Sequence, residues 1–265
     1  MSSTDRRDEV GDLLGGAYGD GSLSRETMEA LTRLPNVGQE IADGLGEPDR
    51  AAKPEVLLVT ILGDDSGSIS GREQDVRAGH NLLLEALGTE VESADILVHT
   101  RLLNAGLISA YQPLGRAVRL TAANYDPAHF GGTPLYDQAV LTLGSVLAKT
   151  RQLEGQGRRV RTFTLLITDG RDAGSTAASA QSVAWVVGDM LLSGAHIVAG
   201  MGIGEDPVFR NVFEEMGLKP GWILTSDSTA ADIRATFRTL GESMALAASG
   251  EAGFLELNAG PKAGL

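Results

Sequence analysis

The sequence predicts an α/β fold in which a doubly wound, mostly parallel central sheet is flanked by helices and preceded by a short helical extension. From Glu55 onward, apolar runs of strand length alternate with helical patterns, which is typical of parallel sheets. The first run, 56–62, has a single polar residue, as expected of a strand buried on both faces. We therefore predict an extension and linker at 1–53, an α/β domain at 54–249 and a flexible tail at 250–265.

The extension is expected to contain two short amphipathic helices, one following Ser24 and the other ending near Gly46. Each has one apolar face, formed by Met28, Leu31 and Leu34 in the first helix and by Val37, Ile41 and Leu45 in the second. The segment 47–54 is bracketed by prolines and largely charged, which indicates a linker. Because isolated helices of this length rarely hold in water, we expect both apolar faces to pack on the α/β domain or on a partner.

The α/β domain is expected to contain six strands and five helices. The predicted strands are 56–62, 96–101, 107–111, 162–168, 197–201 and 222–225, with a hairpin turn at 104–106 between the second and third. The predicted helices start after Ser70 and Thr133 and cover 177–192, 207–216 and 230–247. Ser70 and Glu73 have capping-box spacing. Thr133 and Pro134 suit the N-cap and first position of a helix that runs to about Lys149.

The composition excludes several classes of function. Lys and Arg total 22 against 35 Asp and Glu, a formal net charge of −13, so neither nucleic acid nor an anionic membrane is expected as a partner. The chain has no cysteine, which excludes disulfides, zinc–thiolate sites and thiol nucleophiles. Its apolar runs are shorter than the roughly 18 residues of a membrane span, and MSSTDRRDEVGD lacks the apolar stretch of a signal peptide. We expect a soluble, cytoplasmic protein.

Oxygen-bearing side chains follow two of the predicted strands and precede one helix. They are Asp64, Ser66 and Ser68 after the first strand, Thr133 at the helix start, and Asp169 after the strand 162–168. Ligands of open α/β sheets bind at the carboxyl ends of the strands, so we expect these five side chains to converge. Two carboxylates and three hydroxyls, without His or Cys, suit Mg²⁺, although Mn²⁺ or Ca²⁺ could take its place.

Three segments, DDSGS at 64–68, GGTPLYD at 131–137 and LLITDG at 165–170, resemble the von Willebrand factor type A (vWA) domain and its metal-ion-dependent adhesion site, MIDAS. The resemblance covers about residues 54–247 and extends to the order and spacing of the three motifs. It implies a Rossmann-like fold, with Asp64, Ser66 and Ser68 in the first metal loop, Thr133 in the second and Asp169 in the third. Asp65 stands in the variable position of its motif and is expected to face away from the metal.

The resemblance also implies how the protein acts. In similar domains an Asp or Glu carboxylate of a partner protein completes the metal shell, and bacterial intracellular members often act beside MoxR-type AAA+ ATPases. The leading hypothesis is therefore a non-enzymatic, Mg²⁺-dependent protein-interaction module. One alternative is a metal-assisted hydrolase such as a phosphatase, for which Arg171 and Arg116 are the nearby cations but no general base is evident. Another is a structural or assembly protein with a vestigial metal site.

Two further motifs favour structural roles. A serine nucleophile at Ser66 would need a histidine within hydrogen-bonding reach, but His80 is expected to be buried on a helix face and His129 to be solvated in a loop. The run Gly200-Met201-Gly202-Ile203-Gly204 is followed by Glu205, where the dinucleotide-binding pattern G-x-G-x-x-G would need a glycine. We expect this run to provide close backbone packing.

Overall fold

The computed structural model describes residues 3–46, 53–90, 95–204 and 208–226, together with position 231. The helices are α1 (Ser3–Gly19), α2 (Arg25–Arg33), α3 (Val37–Leu45), α4 (Glu73–Glu90), α5 (Leu135–Glu154), α6 (Ala180–Leu192) and α7 (Val208–Glu215). The strands are β1 (Glu55–Gly63), β2 (Asp95–Leu102), β3 (Gly106–Pro113), β4 (Arg159–Thr168), β5 (His196–Ile203) and β6 (Ile223–Ser226). Short 3₁₀ helices lie at Gly67–Ile69, Leu114–Arg116, Pro127–His129 and Pro220–Trp222.

The six strands form one sheet in the order β3-β2-β1-β4-β5-β6. Every neighbouring pair is parallel except β2 and β3, which form the predicted antiparallel hairpin. The strand order reverses at β1, which pairs with β2 on one side and with β4 on the other. The predicted Rossmann-like, mostly parallel sheet flanked by helices is confirmed, and its topological switch point lies between β1 and β4.

One face of the sheet packs against α4, and we call it the α4 face. Alternate residues of each strand point to it, because side chains of a strand alternate between the two faces. The strands contribute Leu57, Val59, Ile61, Val98, Phe163, Leu165, Ile167, Ala199 and Met201, which form one cluster with Val76, Leu83 and Leu87 of α4. Every one of these side chains is buried and apolar.

The opposite face, which we call the α5 face, is covered by α3, α5, α6 and α7 and contains polar residues. Thr60 of β1 pairs in register with His99 of β2 and Thr164 of β4, and all three are fully buried. Further along this face, Gly200 and Gly202 lie under α7. A Cβ on Gly202 would stand 2.2 Å from the Phe209 ring, so the glycine-rich run serves close packing, as predicted.

The helices α1–α3 pack on the α5 face and share one hydrophobic core with α5 and α6. Leu31 of α2 and Ile41 of α3 lie against Gly144 of α5, where an added Cβ would stand 2.6 Å from Leu31 and 2.9 Å from Ile41. Ser24 donates from its backbone N and its Oγ to Asp189 Oδ2 of α6, at 2.6 and 2.7 Å. The predicted packing of the two apolar helix faces on the rest of the chain is confirmed. The division of the chain at residue 53 stays a prediction.

Helix α1 was not predicted from the sequence. Its interior contains three glycines, Gly11, Gly15 and Gly16, each of which disfavours a helix by about 1 kcal/mol relative to alanine. Its apolar face is narrow, with Val10, Leu14 and Ala17 as its buried residues. These side chains join the core formed with α3 and α5, so tertiary packing stabilises a helix that the local sequence disfavours.

Several predicted helix ends are wrong. Helix α4 begins at Glu73 rather than after a Ser70 cap, and the Glu73 carboxylate accepts a hydrogen bond from Gly71 N at 2.5 Å. Helix α5 begins at Leu135, so Thr133 is not its N-cap, and it continues to Glu154. Helix α6 begins at Ala180, where Ser179 provides the cap.

Parts of the prediction fall outside the described residues, namely most of the linker, the helix at 230–247 and the tail at 250–265. Among the helices that are described, none combines the length and the apolar character that crossing a lipid bilayer requires.

Candidate metal centre

The predicted metal residues lie at the carboxyl edge of the sheet, beside the switch point between β1 and β4. Asp64 directly follows β1, and Asp169 directly follows β4. Since β1 and β4 are neighbours and parallel, their ends bring the two carboxylates to the same place.

Asp64 is fixed from several sides. It is 1% exposed. Its Oδ1 accepts a hydrogen bond from Ser66 N at 2.8 Å, and its Oδ2 accepts one from Thr168 Oγ1 at 2.8 Å. The Tyr125 hydroxyl donates to the Asp64 backbone carbonyl at 2.7 Å. The first carboxylate of the site is therefore held in one orientation by its neighbours.

The two serines connect Asp64 to Asp169. Ser66 Oγ and Ser68 Oγ lie 3.0 Å apart, and Ser68 Oγ donates to Asp169 Oδ1 at 3.0 Å. The DDSGS loop curls into the 3₁₀ turn Gly67–Ile69, which turns both hydroxyls toward the end of β4. Four of the five predicted residues thus form one hydrogen-bonded group, in which the Ser66 backbone N–H makes the link to Asp64.

Thr133 lies in the adjoining segment and is 8% exposed. Its backbone exchanges two hydrogen bonds with Ala173, at 3.3 and 2.9 Å, in the loop that follows Asp169. Among the described residues, no hydrogen bond joins the Thr133 side chain to the other four. Its hydroxyl does not cap α5 either, because Asp172 and Ser175 accept hydrogen bonds from Tyr136 N and Asp137 N of the first turn.

Asp137, the last residue of the GGTPLYD motif, holds the loop that follows Asp169. Its carboxylate accepts hydrogen bonds from Thr176 N at 2.8 Å, Ala177 N at 3.1 Å and Ala178 N at 2.6 Å. The second and third motifs are therefore joined by a carboxylate as well as by the backbone pairing of Thr133 with Ala173.

The electrostatics of the site favour a bound cation. Burial raises the pKa of Asp64, and the nearby Asp169 carboxylate raises it further. Burial also raises the pKa of Asp169, against the effects of the Ser68 hydroxyl and the Arg72 guanidinium, which lower it. A divalent ion bound near the two carboxylates would lower their pKa values and so favour their charged forms. The donor set of two carboxylates and three hydroxyls fits a hard ion.

The site is poor in charged ligands. Within the described part of the chain, no group of three or more His, Cys, Asp or Glu side chains is arranged to hold a metal ion. A metal at this edge would therefore depend on the neutral hydroxyls of Ser66, Ser68 and Thr133 in addition to its two carboxylates. An ion held by so few negative charges would stay electrophilic toward an outside anion.

The histidines lie where the sequence predicted. His80 is buried on α4, its Nδ1 lies 3.2 Å from Asn81 Oδ1, and burial lowers its pKa to about 4. His129 is exposed and lies 3.1 Å from Asp126. Neither is bonded to Ser66, whose hydroxyl partner is Ser68.

Sequence reasoning missed residues that support the site. Tyr125 and Thr168 fix Asp64, and Asn104 of the β2–β3 turn binds the Asp65 carboxylate. Thr168 was identifiable as the residue that ends the strand before Asp169. Tyr125 and Asn104 are distant in sequence from the motifs, and no local pattern marked them.

No family model matches the chain, and no curated protein matches it. Solved structures do match. The pilus adhesin SpaC from Lactobacillus rhamnosus GG is 15% identical with a TM-score of 0.48, over 76% of this chain and 32% of SpaC. Proximal thread matrix protein 1 from the mussel byssus, with a zinc-occupied MIDAS motif, is 14% identical with a TM-score of 0.43, over 74% of this chain and 49% of that one.

A von Willebrand factor type A protein from Catenulispora acidiphila is 18% identical with a TM-score of 0.42, over 73% of this chain and 43% of that one. This chain spans about a third of the length of SpaC and less than half of the other two proteins. The Catenulispora protein is named for the same family that the three sequence motifs resemble.

Proposed function

We propose that this chain is a metal-dependent protein-interaction module of the vWA type. In it, Mg²⁺ held by Asp64, Ser66, Ser68, Thr133 and Asp169 binds a carboxylate of a partner protein. The observation that carries the proposal is the hydrogen-bonded group that runs from Asp64 through Ser66 and Ser68 to Asp169 at the switch point of the sheet.

The choice of ion follows from the ligand chemistry. Mg²⁺ prefers oxygen ligands and retains waters when protein ligands are few, and Mn²⁺ and Ca²⁺ share the preference for oxygen. When bound, the ion supplies a positive centre with a coordination position open to an external anion. The residues of this chain would hold the ion at a place that solvent reaches, since Ser68 is exposed.

A partner carboxylate suits this protein because the ion changes the sign of the local charge. The chain has a formal net charge of −13, so an acidic group approaching Asp64 and Asp169 is repelled without the ion. The partner as a MoxR-type AAA+ ATPase and the location in the cytoplasm stay predictions based on the resemblance and the sequence.

The hydrolase alternative has less support from the site. A serine nucleophile would need a base, and the Ser66 hydroxyl is bonded to another serine. Arg72 is the cation whose guanidinium acts on Asp169, whereas Arg116 and Arg171 are exposed. A turnover assay with p-nitrophenyl phosphate and Mg²⁺ separates the two functions, and we expect no activity above that of the free ion.

The open coordination position can be measured with Mn²⁺, whose bound waters speed proton relaxation of the solvent. We expect the protein to enhance the relaxation rate of a Mn²⁺ solution, and acetate to reduce that enhancement by displacing a bound water. Absence of enhancement would exclude the metal site and favour the vestigial alternative. Enhancement that acetate leaves unchanged would contradict binding of a carboxylate at the ion.

A further inference from the structure

Asp65 is an acidic side chain buried inside the first metal loop. It is 0% exposed, and its carboxylate faces the β2–β3 turn. Its Oδ1 accepts hydrogen bonds from Asn104 N at 2.8 Å and Asn104 Nδ2 at 3.0 Å, and its Oδ2 accepts one from Ala105 N at 2.9 Å. A buried carboxylate needs such donors to offset the loss of its hydration. These three hydrogen bonds account for the orientation of the Asp65 carboxylate toward the β2–β3 turn. That it faces away from a bound metal stays a prediction.

Asn104 extends this arrangement to the second metal loop. Its Nδ2 also donates to the Gly132 carbonyl at 2.9 Å, directly before Thr133. We call the connected set of Asp65, Asn104 and the Gly132 carbonyl the Asp65 bridge. It runs from the loop of Ser66 and Ser68 to the segment of Thr133 through one side-chain amide.

A second contact joins the same two loops. Gly67 N donates to the Phe130 carbonyl at 2.8 Å, and a Cβ on Gly67 would stand 2.9 Å from that oxygen. The position therefore requires glycine for steric reasons. With the backbone pairing of Thr133 to Ala173 on its other side, the segment 130–133 is held between the first and third metal loops.

We propose that Asp65 and Asn104 are positioning residues that place the Thr133 hydroxyl for metal binding without being ligands themselves. The inference rests on the proposed function, because it concerns the same ion. A neutral hydroxyl attracts a cation less strongly than a carboxylate does, so its contribution depends on being held in place beforehand. Groups that orient metal ligands commonly change metal affinity by about 10- to 100-fold when they are removed.

The test is a calorimetric titration of the full chain with Mn²⁺, using wild type, Asn104→Ala, Thr133→Ala and the double variant. We expect Asn104→Ala to weaken Mn²⁺ binding about tenfold. In the Thr133→Ala background the same change should weaken it less than about twofold, because the bridge acts through Thr133. The carboxylates remain in Thr133→Ala, so its weaker binding is measured at higher Mn²⁺ concentration.

Asn81→Ala is the matched control. Asn81 holds Leu120 in a similar two-sided way, donating from Nδ2 to the Leu120 carbonyl at 2.9 Å and accepting from Leu120 N at 3.0 Å. Urea unfolding with chelator should show comparable losses of stability in Asn81→Ala and Asn104→Ala, with Mn²⁺ affinity changed only in the latter. Asp65→Asn keeps one acceptor oxygen and turns an amide N–H₂ toward a backbone donor, so it should also weaken Mn²⁺ binding.

Different outcomes overturn different statements. Failure of the wild type to bind Mn²⁺ would overturn the proposed function and this inference with it. Wild-type binding together with unchanged affinity in Asn104→Ala and Asp65→Asn would overturn the inference alone. An equal fold-loss from Asn104→Ala with and without Thr133 would also overturn it, because the effect would then not pass through that ligand.

Discussion

The two faces of the central sheet differ in polarity, although the same strands contribute to both. On the α4 face, adjacent strands present apolar residues such as Val59 and Phe163 to the apolar side of a single helix. On the α5 face, the same strands present Thr60, His99 and Thr164 in one buried row, together with Arg101 near the carboxyl edge. Three helices from the beginning of the chain help to cover this second face.

The two faces of the sheet therefore contribute differently to the protein. Apolar burial on the α4 face contributes stability without specificity for a ligand, because the hydrophobic effect has no direction. The buried polar groups of the α5 face reduce that gain unless they find partners. Arg101 illustrates this, since it pairs with Glu40 of α3 at 2.5 Å and reaches Gln138 in the first turn of α5 at 3.4 Å. The α5 face thus connects the extension to α5, the helix that follows the segment of Thr133.

Truncation on the α4 face should have the greatest effect on stability. Phe163 is fully buried among apolar side chains. Replacing it with alanine removes a large ring and leaves a cavity, so we expect Phe163→Ala to lower the free energy of unfolding by about 3–5 kcal/mol. Urea unfolding at neutral pH measures the change. A loss below about 1 kcal/mol would contradict the assignment of this face as the main apolar core.

Acid should destabilise the protein through its buried histidines. Burial lowers the pKa of His99 to about 3 and those of His80 and His196 to about 4, from an ordinary value of 6.5. The unfolded chain therefore binds protons first, and stability falls as the pH drops from 6.5 toward 4. His99→Leu should reduce this slope by about 1.4 kcal/mol per pH unit. Parallel pH profiles for wild type and variant would argue against a neutral, buried His99.

Loss of the ion pair between the extension and the sheet should have an intermediate effect. The Arg101 side chain is 3% exposed, whereas that of Glu40 is 47% exposed, so solvent screens part of the interaction. We expect Glu40→Ala to cost about 1–2 kcal/mol in urea unfolding, mostly from leaving a buried guanidinium without its partner. Glu29→Ala, which removes an exposed carboxylate beside Arg25, is the control and should cost less than about 0.5 kcal/mol.

A substitution at Thr164 should have the smallest effect on the free energy of unfolding, and it should stabilise the protein, whereas Phe163→Ala and Glu40→Ala destabilise it. The buried Thr164 hydroxyl has no hydrogen-bond partner among the described residues. Thr164→Val replaces that hydroxyl with a methyl group of similar size, so we expect a change within about 1 kcal/mol, toward greater stability. A clear loss of stability would show that the hydroxyl has a partner, such as a buried water.

The fold was largely predictable from the sequence because its strands are apolar runs of strand length that alternate with helical patterns. Strand β1, at Glu55–Gly63, was found within one residue at each end. Helix α1 was missed because glycine lowers its local preference, and its stability comes from contacts with distant residues. The start of α5 was wrong because Asp172 and Ser175, nearly forty residues away, bind its first amides in place of a local cap.

The oxygen-bearing residues of the candidate site were predictable from the sequence, but the residues that hold them in place were not. Asp64, Ser66, Ser68 and Asp169 are brought together as expected, since parallel neighbouring strands end at one edge. For Asp65 the sequence predicted only that its side chain faces away from the metal. Its partner Asn104 lies in the turn of the β2–β3 hairpin, and the pairing of β2 with β1 brings that turn beside the loop of Asp65.

A calorimetric titration of Mn²⁺ into wild type, Asp169→Ala and Asp126→Ala examines the metal site itself. Asp169 is partly exposed on a loop outside the core, so its removal should leave the fold intact. Asp126 is a nearby exposed carboxylate that pairs with His129 and serves as the control for net charge. We predict one site in wild type and Asp126→Ala, and no measurable binding in Asp169→Ala. Equal Mn²⁺ affinity in all three proteins would contradict the assignment of the metal to this edge of the sheet.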